Sequence, residues 1–113
     1  MIKKILSLSK NEDFKSIITG RKVSNKYLTI FFKKLSNKNN KNLNISFVAQ
    51  KKIGNAVKRN KIKRRLRNIM NDALKKINIK MEYSYLMISK RNVFDGKFSD
   101  IKETVIKDFK KIK

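Results

Sequence analysis

The chain has no cysteine, histidine, proline or tryptophan, and only 8 acidic residues against 31 Lys and Arg. Each absence removes a class of function. Without cysteine and histidine, thiolate, imidazole and zinc-cluster chemistry are all excluded. No histidine-based triad can be assembled, so a general base would have to be a carboxylate or a lysine. No apolar run approaches the roughly 18 residues of a membrane span. The opening Met1, Ile2, Lys3, Lys4, Ile5 and Leu6 starts basic, but its apolar stretch is far too short for a signal peptide. The expectation is a soluble, cytoplasmic protein that engages no membrane. There is no internal repeat and no linker, so residues 1–113 read as a single domain.

What is present is positive charge. The formal net charge is +23 and the pI about 10.5, a balance that burdens a compact fold and favours a polyanionic partner. An apolar fraction of 40% is enough for a modest core and argues against pure disorder. The charge is unevenly spread. Residues 14–71 carry 17 bases and no acid, whereas residues 72–113 carry 11 bases and 6 acids. The densest stretch, residues 51–67, holds 9 bases. It is interleaved with Ile53, Val57, Ile62 and Leu66, which favours an ordered amphipathic element over a disordered block.

Local patterns give the order of elements. Ser9 and Glu12 match a capping box, and Phe14, Ile17 and Ile18 share a face, so a helix is expected over 10–18 with Gly20 as its C′ residue. Residues 27–35 and 44–50 read as strands, with Tyr27, Thr29 and Phe31 alternating against Leu28, Ile30 and Phe32. A short Asn-rich loop joins them, and an antiparallel hairpin is the simplest pairing. Asn55 is a good N-cap for a helix from Ala56 to about Ile77, whose apolar stripe is Ile62, Leu66, Ile69, Met70, Ala73 and Ile77. Asn60, Lys61, Arg64, Arg67, Asn68, Asn71 and Lys75 fall opposite, while Arg59 falls on the apolar side. Residues 83–89 form a third strand, and Asp95–Gly96 a turn. Ser99 or Asp100 caps a last helix with Ile101, Val105, Phe109 and Ile112 as its buried stripe. The order α-β-β-α-β-α describes a small α+β sandwich with its sheet covered mainly on one face.

The run from Lys51 to Arg67 resembles the signature of the bacterial ribonuclease P protein component, a K-x-G-x-A-V-x-R-N-x-x-K-R-x-x-R pattern at the start of a long central helix. Lys52, Gly54, Ala56, Val57, Arg59, Asn60, Lys63, Arg64 and Arg67 occupy its places. The early Asn11, Glu12, Asp13 and Phe14 look like that family's first helix. The resemblance implies a ribosomal-protein-like fold whose strand–helix–strand crossover is left-handed. It also implies a role: binding ribonuclease P RNA, the catalyst, and the 5′ leader of precursor tRNA. The leader would be removed with magnesium held by the RNA. No obligate protein partner is implied.

Arginines such as Arg64 and Arg67 offer forked contacts to phosphate oxygens, and lysines act as mobile point charges. Asn60 and Asn68 suit ribose hydroxyls or base edges, and amides near Asn55 suit a phosphate. The expected RNA-binding set is therefore Lys51, Lys52, Asn55, Lys58, Arg59, Asn60, Lys61, Lys63, Arg64, Arg67 and Asn68. Gly54, Ala56 and Val57 read as a tight turn and packing. By the resemblance, the leader lies between the first helix and the open sheet face. Phe14 sits at the family's aromatic position, and Ile18 stands where many members have a second Phe. On the first strand, either Tyr27 and Phe31 or their neighbours would line the cleft. No catalytic or metal-binding residue is expected, because Glu12 is accounted for as a cap and no carboxylates pair at suitable spacing. The alternatives are a structural RNA-binding protein such as a ribosomal component, or a DNA-binding regulator. Against the second, a strand rather than a short helix precedes Asn55.

Overall fold

The computed structural model of the chain describes residues 5–6, 17–34, 43–80 and 83–112. Its strands are β1 (Ile5–Leu6), β2 (Arg21–Ser24), β3 (Leu28–Lys34), β4 (Leu43–Val48) and β5 (Tyr83–Ser89). Its helices are α1 (Ala56–Lys76), the one-turn α2 (Asn92–Asp95) and α3 (Phe98–Lys111), with a 3-10 turn at Lys51–Ile53. The three expected strands and the long basic helix are present within two residues of their anticipated bounds. Of the helix expected over 10–18, Ile17 and Ile18 are helical; Ser9, Glu12 and Phe14 lie outside the described residues.

The sheet is mixed, in the order β1-β4-β5-β3-β2. β4 and β5 are parallel and joined through α1, while β3 is antiparallel to both β5 and β2. The expected hairpin between β3 and β4 is not made, because β5 inserts between them. β5 has the claim to the centre: Tyr85, Leu86 and Met87 are all buried, and a strand apolar on both faces is most stable where neighbours pair both of its edges. The real hairpin joins β2 to β3 and was not anticipated, since Val23 is the only apolar residue in β2. Asn25 makes that turn. Its Oδ1 accepts from the amides of Tyr27 (2.7 Å) and Leu28 (3.0 Å), the local bonding that suits Asn to tight turns.

Gly20 donates its amide to the carbonyl of Ile17, as a C-cap would, yet no described glycine lies in the left-handed region of φ. Its smallness is what matters: a Cβ there would lie 2.8 Å from the Phe32 carbonyl oxygen.

One face of the sheet meets the helices. Leu28, Ile30 and Phe32 of β3, Ile45 of β4, and Tyr85 and Met87 of β5 pack with Ile62, Leu66, Ile69, Met70 and Ala73 of α1. Ile101, Val105 and Phe109 of α3 complete this core, together with Ile112 just beyond it. Each such aliphatic side chain contributes about 1.5–3 kcal/mol on full burial. The Tyr85 and Phe109 rings meet edge to face at 5.1 Å, and the Tyr85 hydroxyl donates to the Lys80 carbonyl (2.7 Å). The start of α3 differs from expectation. Lys97 takes the N-cap position with no side-chain bond, and Ser99 and Asp100 lie inside the first turn. The Ile101 amide bonds to the Lys97 carbonyl, so burying Ile101 sets the helix start earlier.

Candidate nucleic-acid interface

The basic helix is held from both ends. Ile53 is buried and anchors the 3-10 turn, leaving Lys51 and Lys52 exposed. Asn55 is the N-cap of α1, its Oδ1 accepting from the Lys58 amide at 2.9 Å. Lys75 and Lys76 lie in the last turn, where cations suit the helix dipole. The apolar stripe turns one face of α1 to the core and so turns the opposite face to solvent. Asn60, Lys61, Arg64, Arg67 and Asn68 are exposed on that face, and Lys58, Arg59 and Lys63 are half-buried along its margins.

Aromatic rings flank both margins. Lys58 Nζ lies 4.6 Å and Lys61 Nζ 4.9 Å from the centre of the Phe94 ring. Across the helix, the Arg67 guanidinium lies 5.6 Å from the Phe47 ring of β4. Such contacts steady flexible cations without neutralising them. Arg59 wraps toward the core as its helical angle implied, and its Nε is buried with no hydrogen-bond partner. Val57 departs from expectation: it is 78% exposed and packs nothing, because its angle carries it outward beside Asn55.

The start of α1 has no acidic residue in its first turn. Lys58, Arg59 and Lys61 therefore crowd the positive end of the helix dipole, an unfavourable arrangement that an anion would relieve.

The second candidate surface is the sheet face away from the helices. The strand registers align Ser24, Thr29, Ile88 and Val48 in one row, and Lys22, Phe31, Leu86 and Ser46 in the next. Ser24 Oγ and Thr29 Oγ1 lie 3.0 Å apart, and Lys22 Nζ is 6.0 Å from the Phe31 ring. Phe31 is thus on this second face, half-buried in a row where Leu86 and Ser46 are buried. Tyr27 is not on that face. It is buried in the helix-side core, and its ring closely approaches Gly96. It precedes β3, so strand alternation does not govern it. Ile18 is 49% exposed.

Sequence reasoning missed Arg65, Lys90, Arg91 and Asn25. Lys90 Nζ donates to the Asn25 carbonyl (2.6 Å), and Arg91 to the Lys52 carbonyl (3.3 Å). Asn25 Nδ2 also donates to the buried carboxylate of Asp108 at 2.5 Å. Beyond a bias toward basic residues, no local signal marks these roles, since the partners are distant in sequence.

Among the described residues, no three of His, Cys, Asp or Glu gather as a metal-binding group, and no helix is long and apolar enough to cross a membrane. Asp72 pairs with Lys102 at 3.1 Å, and this hydrogen bond raises the Lys102 pKa above its usual value despite the opposing effect of desolvation.

The family model for ribonuclease P matches residues 2–113. A ribonuclease P protein component of Fusobacterium nucleatum is 34% identical over 113 residues, covering 95% of this chain and 96% of that protein. One from Bacillus pumilus is 32% identical, covering 97% and 90%. The fold matches that of the ribonuclease P protein from Thermotoga maritima with a TM-score of 0.78, at 24% identity over 95% of this chain and 97% of the other. With the motif of its basic helix and a matched length that is nearly complete, the chain belongs to the family of bacterial ribonuclease P protein components.

Proposed function

We propose that this chain binds ribonuclease P RNA through the outward face of α1 and the 5′ leader of precursor tRNA across the sheet face away from the helices. Membership of the family makes it a subunit of an endoribonuclease holoenzyme in tRNA processing, a role that carries an RNA partner. The observation that carries the finer reading is the row of exposed Lys61, Arg64 and Arg67 in a stretch of α1 with no acid before Asp72, continued by Lys51 and Lys52. Such a surface is costly unless phosphates neutralise it.

Phe31 and Lys22 on that sheet face supply a ring and a cation to a single strand, and base–aromatic stacking is worth roughly 1–3 kcal/mol per base. The chain's part is to bind and orient; the RNA supplies the chemistry, with magnesium held on the RNA. Three of the chain's acids have partners within the protein: Asp72 with Lys102, Glu103 with Lys107, and Asp108 with Asn25.

The test is reconstitution. The purified chain alone does not cleave precursor tRNA in magnesium. Added to its cognate ribonuclease P RNA at low magnesium, it restores cleavage. Robust cleavage without RNA would refute the assignment of roles.

A further inference from the structure

The family motif accounts for Arg64 and Arg67 but assigns nothing to Arg65 between them. Arg65 does not point outward with its neighbours. Its Nη1 donates to the carbonyls of Val93 (3.0 Å) and Phe94 (2.7 Å), and its Nη2 to that of Gly96 (2.7 Å). These are carbonyls at the end of α2, which a one-turn helix leaves without partners of its own. A planar guanidinium reaches all three at once; a single ammonium does not. Gly96 keeps the turn tight, its amide donating to the Asn92 carbonyl at 2.8 Å, and a Cβ there would collide with that oxygen. α2 is therefore clamped to α1.

What the clamp delivers is the Phe94 ring. It collects the ammonium groups of Lys58 and Lys61, from successive turns of α1, within 4.6 and 4.9 Å of its centre. Free in solvent, the two would repel each other and wander on four-carbon stems.

We propose that Arg65 is a positioning residue for RNA binding, holding α2 so that Phe94 presents Lys58 and Lys61 to RNA phosphate as one ordered cationic pair. Arg65 itself touches no RNA. The inference rests on the reading of α1 as the RNA face. Ordering two lysines before binding is worth roughly fivefold to a hundredfold in affinity, since each would otherwise be immobilised on contact.

The experiment measures affinity of the full chain for its cognate ribonuclease P RNA, transcribed in vitro, at fixed salt. Arg65→Gln weakens binding by that factor. Arg65→Lys weakens it similarly although the charge is kept. In a Lys58→Ala/Lys61→Ala background, Arg65→Gln adds less than about a twofold loss, because the pair it serves is gone. Phe94→Leu leaves the backbone carbonyls for Arg65 and removes only the ring, and it reproduces the loss. That variant decides the matter if circular dichroism shows Arg65→Gln unfolded. Wild-type affinity in Arg65→Lys or Phe94→Leu, or losses that simply add in the triple variant, would overturn the proposal while leaving the RNA face intact. Failure of the unmodified chain to bind this RNA would instead bring down the reading of α1 and the proposal with it.

Discussion

The salt dependence of RNA binding tests the α1 surface most directly. Eight bases of the expected binding set lie in residues 51–67: Lys51, Lys52, Lys58, Arg59, Lys61, Lys63, Arg64 and Arg67. If each neutralises one phosphate, log K falls against log salt with a slope of about −7, taking roughly 0.9 per phosphate as for a duplex. Arg64→Ala/Arg67→Ala removes two contacts at exposed positions, with Arg67 also giving up its approach to the Phe47 ring. The slope should then flatten by about 1.8. Over a fourfold rise in salt, from about 50 to 200 mM, the affinity gap between wild type and variant should shrink roughly tenfold.

The assay is equilibrium filter binding to ribonuclease P RNA across that salt range, with circular dichroism to show that the variant is folded. Lys107→Ala/Lys110→Ala on α3 is the matched control, since it removes the same formal charge from exposed positions of another helix. It should flatten the slope less. An unchanged slope in the arginine variant, or equal flattening by the α3 pair, would refute the placement of the RNA on α1.

Three further outcomes concern the fold. Asn25→Ala removes an acceptor for two backbone amides and strands the buried Asp108 carboxylate, so it should cost about 3–5 kcal/mol, read as a fall in urea midpoint; a loss below about 1 kcal/mol would show the link to be incidental. Leu66→Ala, at a fully buried position of α1, should cost about 2–5 kcal/mol in the same titration. The Asp72–Lys102 pair supplies a pH test. A lysine pKa raised above 10.5 in the folded state gives stability that is whole below that value and lost as pH rises through the folded pKa. The stability difference between wild type and Asp72→Asn should therefore be level from about pH 6 to 9 and shrink only above the ordinary lysine range; a change near neutrality would disprove it.

The parts of this molecule legible in its sequence are those set by local periodicity. The stripe from Ile62 to Ala73 repeats at helical spacing, and it turned Asn60, Arg64 and Arg67 outward as read. Tyr83–Ser89 declared itself by its aromatic and aliphatic density. What stayed hidden depends on distance along the chain. β5 separates β3 from β4, and no pattern within residues 27–50 encodes a competitor more than 30 residues later. β2 offered a single apolar residue. Tyr27 keeps the alternation of β3 but sits before the strand begins, so alternation sent it to the wrong face. Arg65 carried no readable role because its partners are backbone carbonyls about 30 positions away, invisible to side-chain pattern.

The sheet's edges have a consequence for the protein before it meets RNA. An unpaired strand edge is a template for joining another chain. Among the described residues, one outer strand is β2, four residues long and bearing Arg21 and Lys22 in exposed positions. Such a strand offers little backbone and much charge to a copy of the chain that would extend the sheet there. A newly made subunit waiting for its RNA is thereby guarded along the β2 edge against joining another copy of itself.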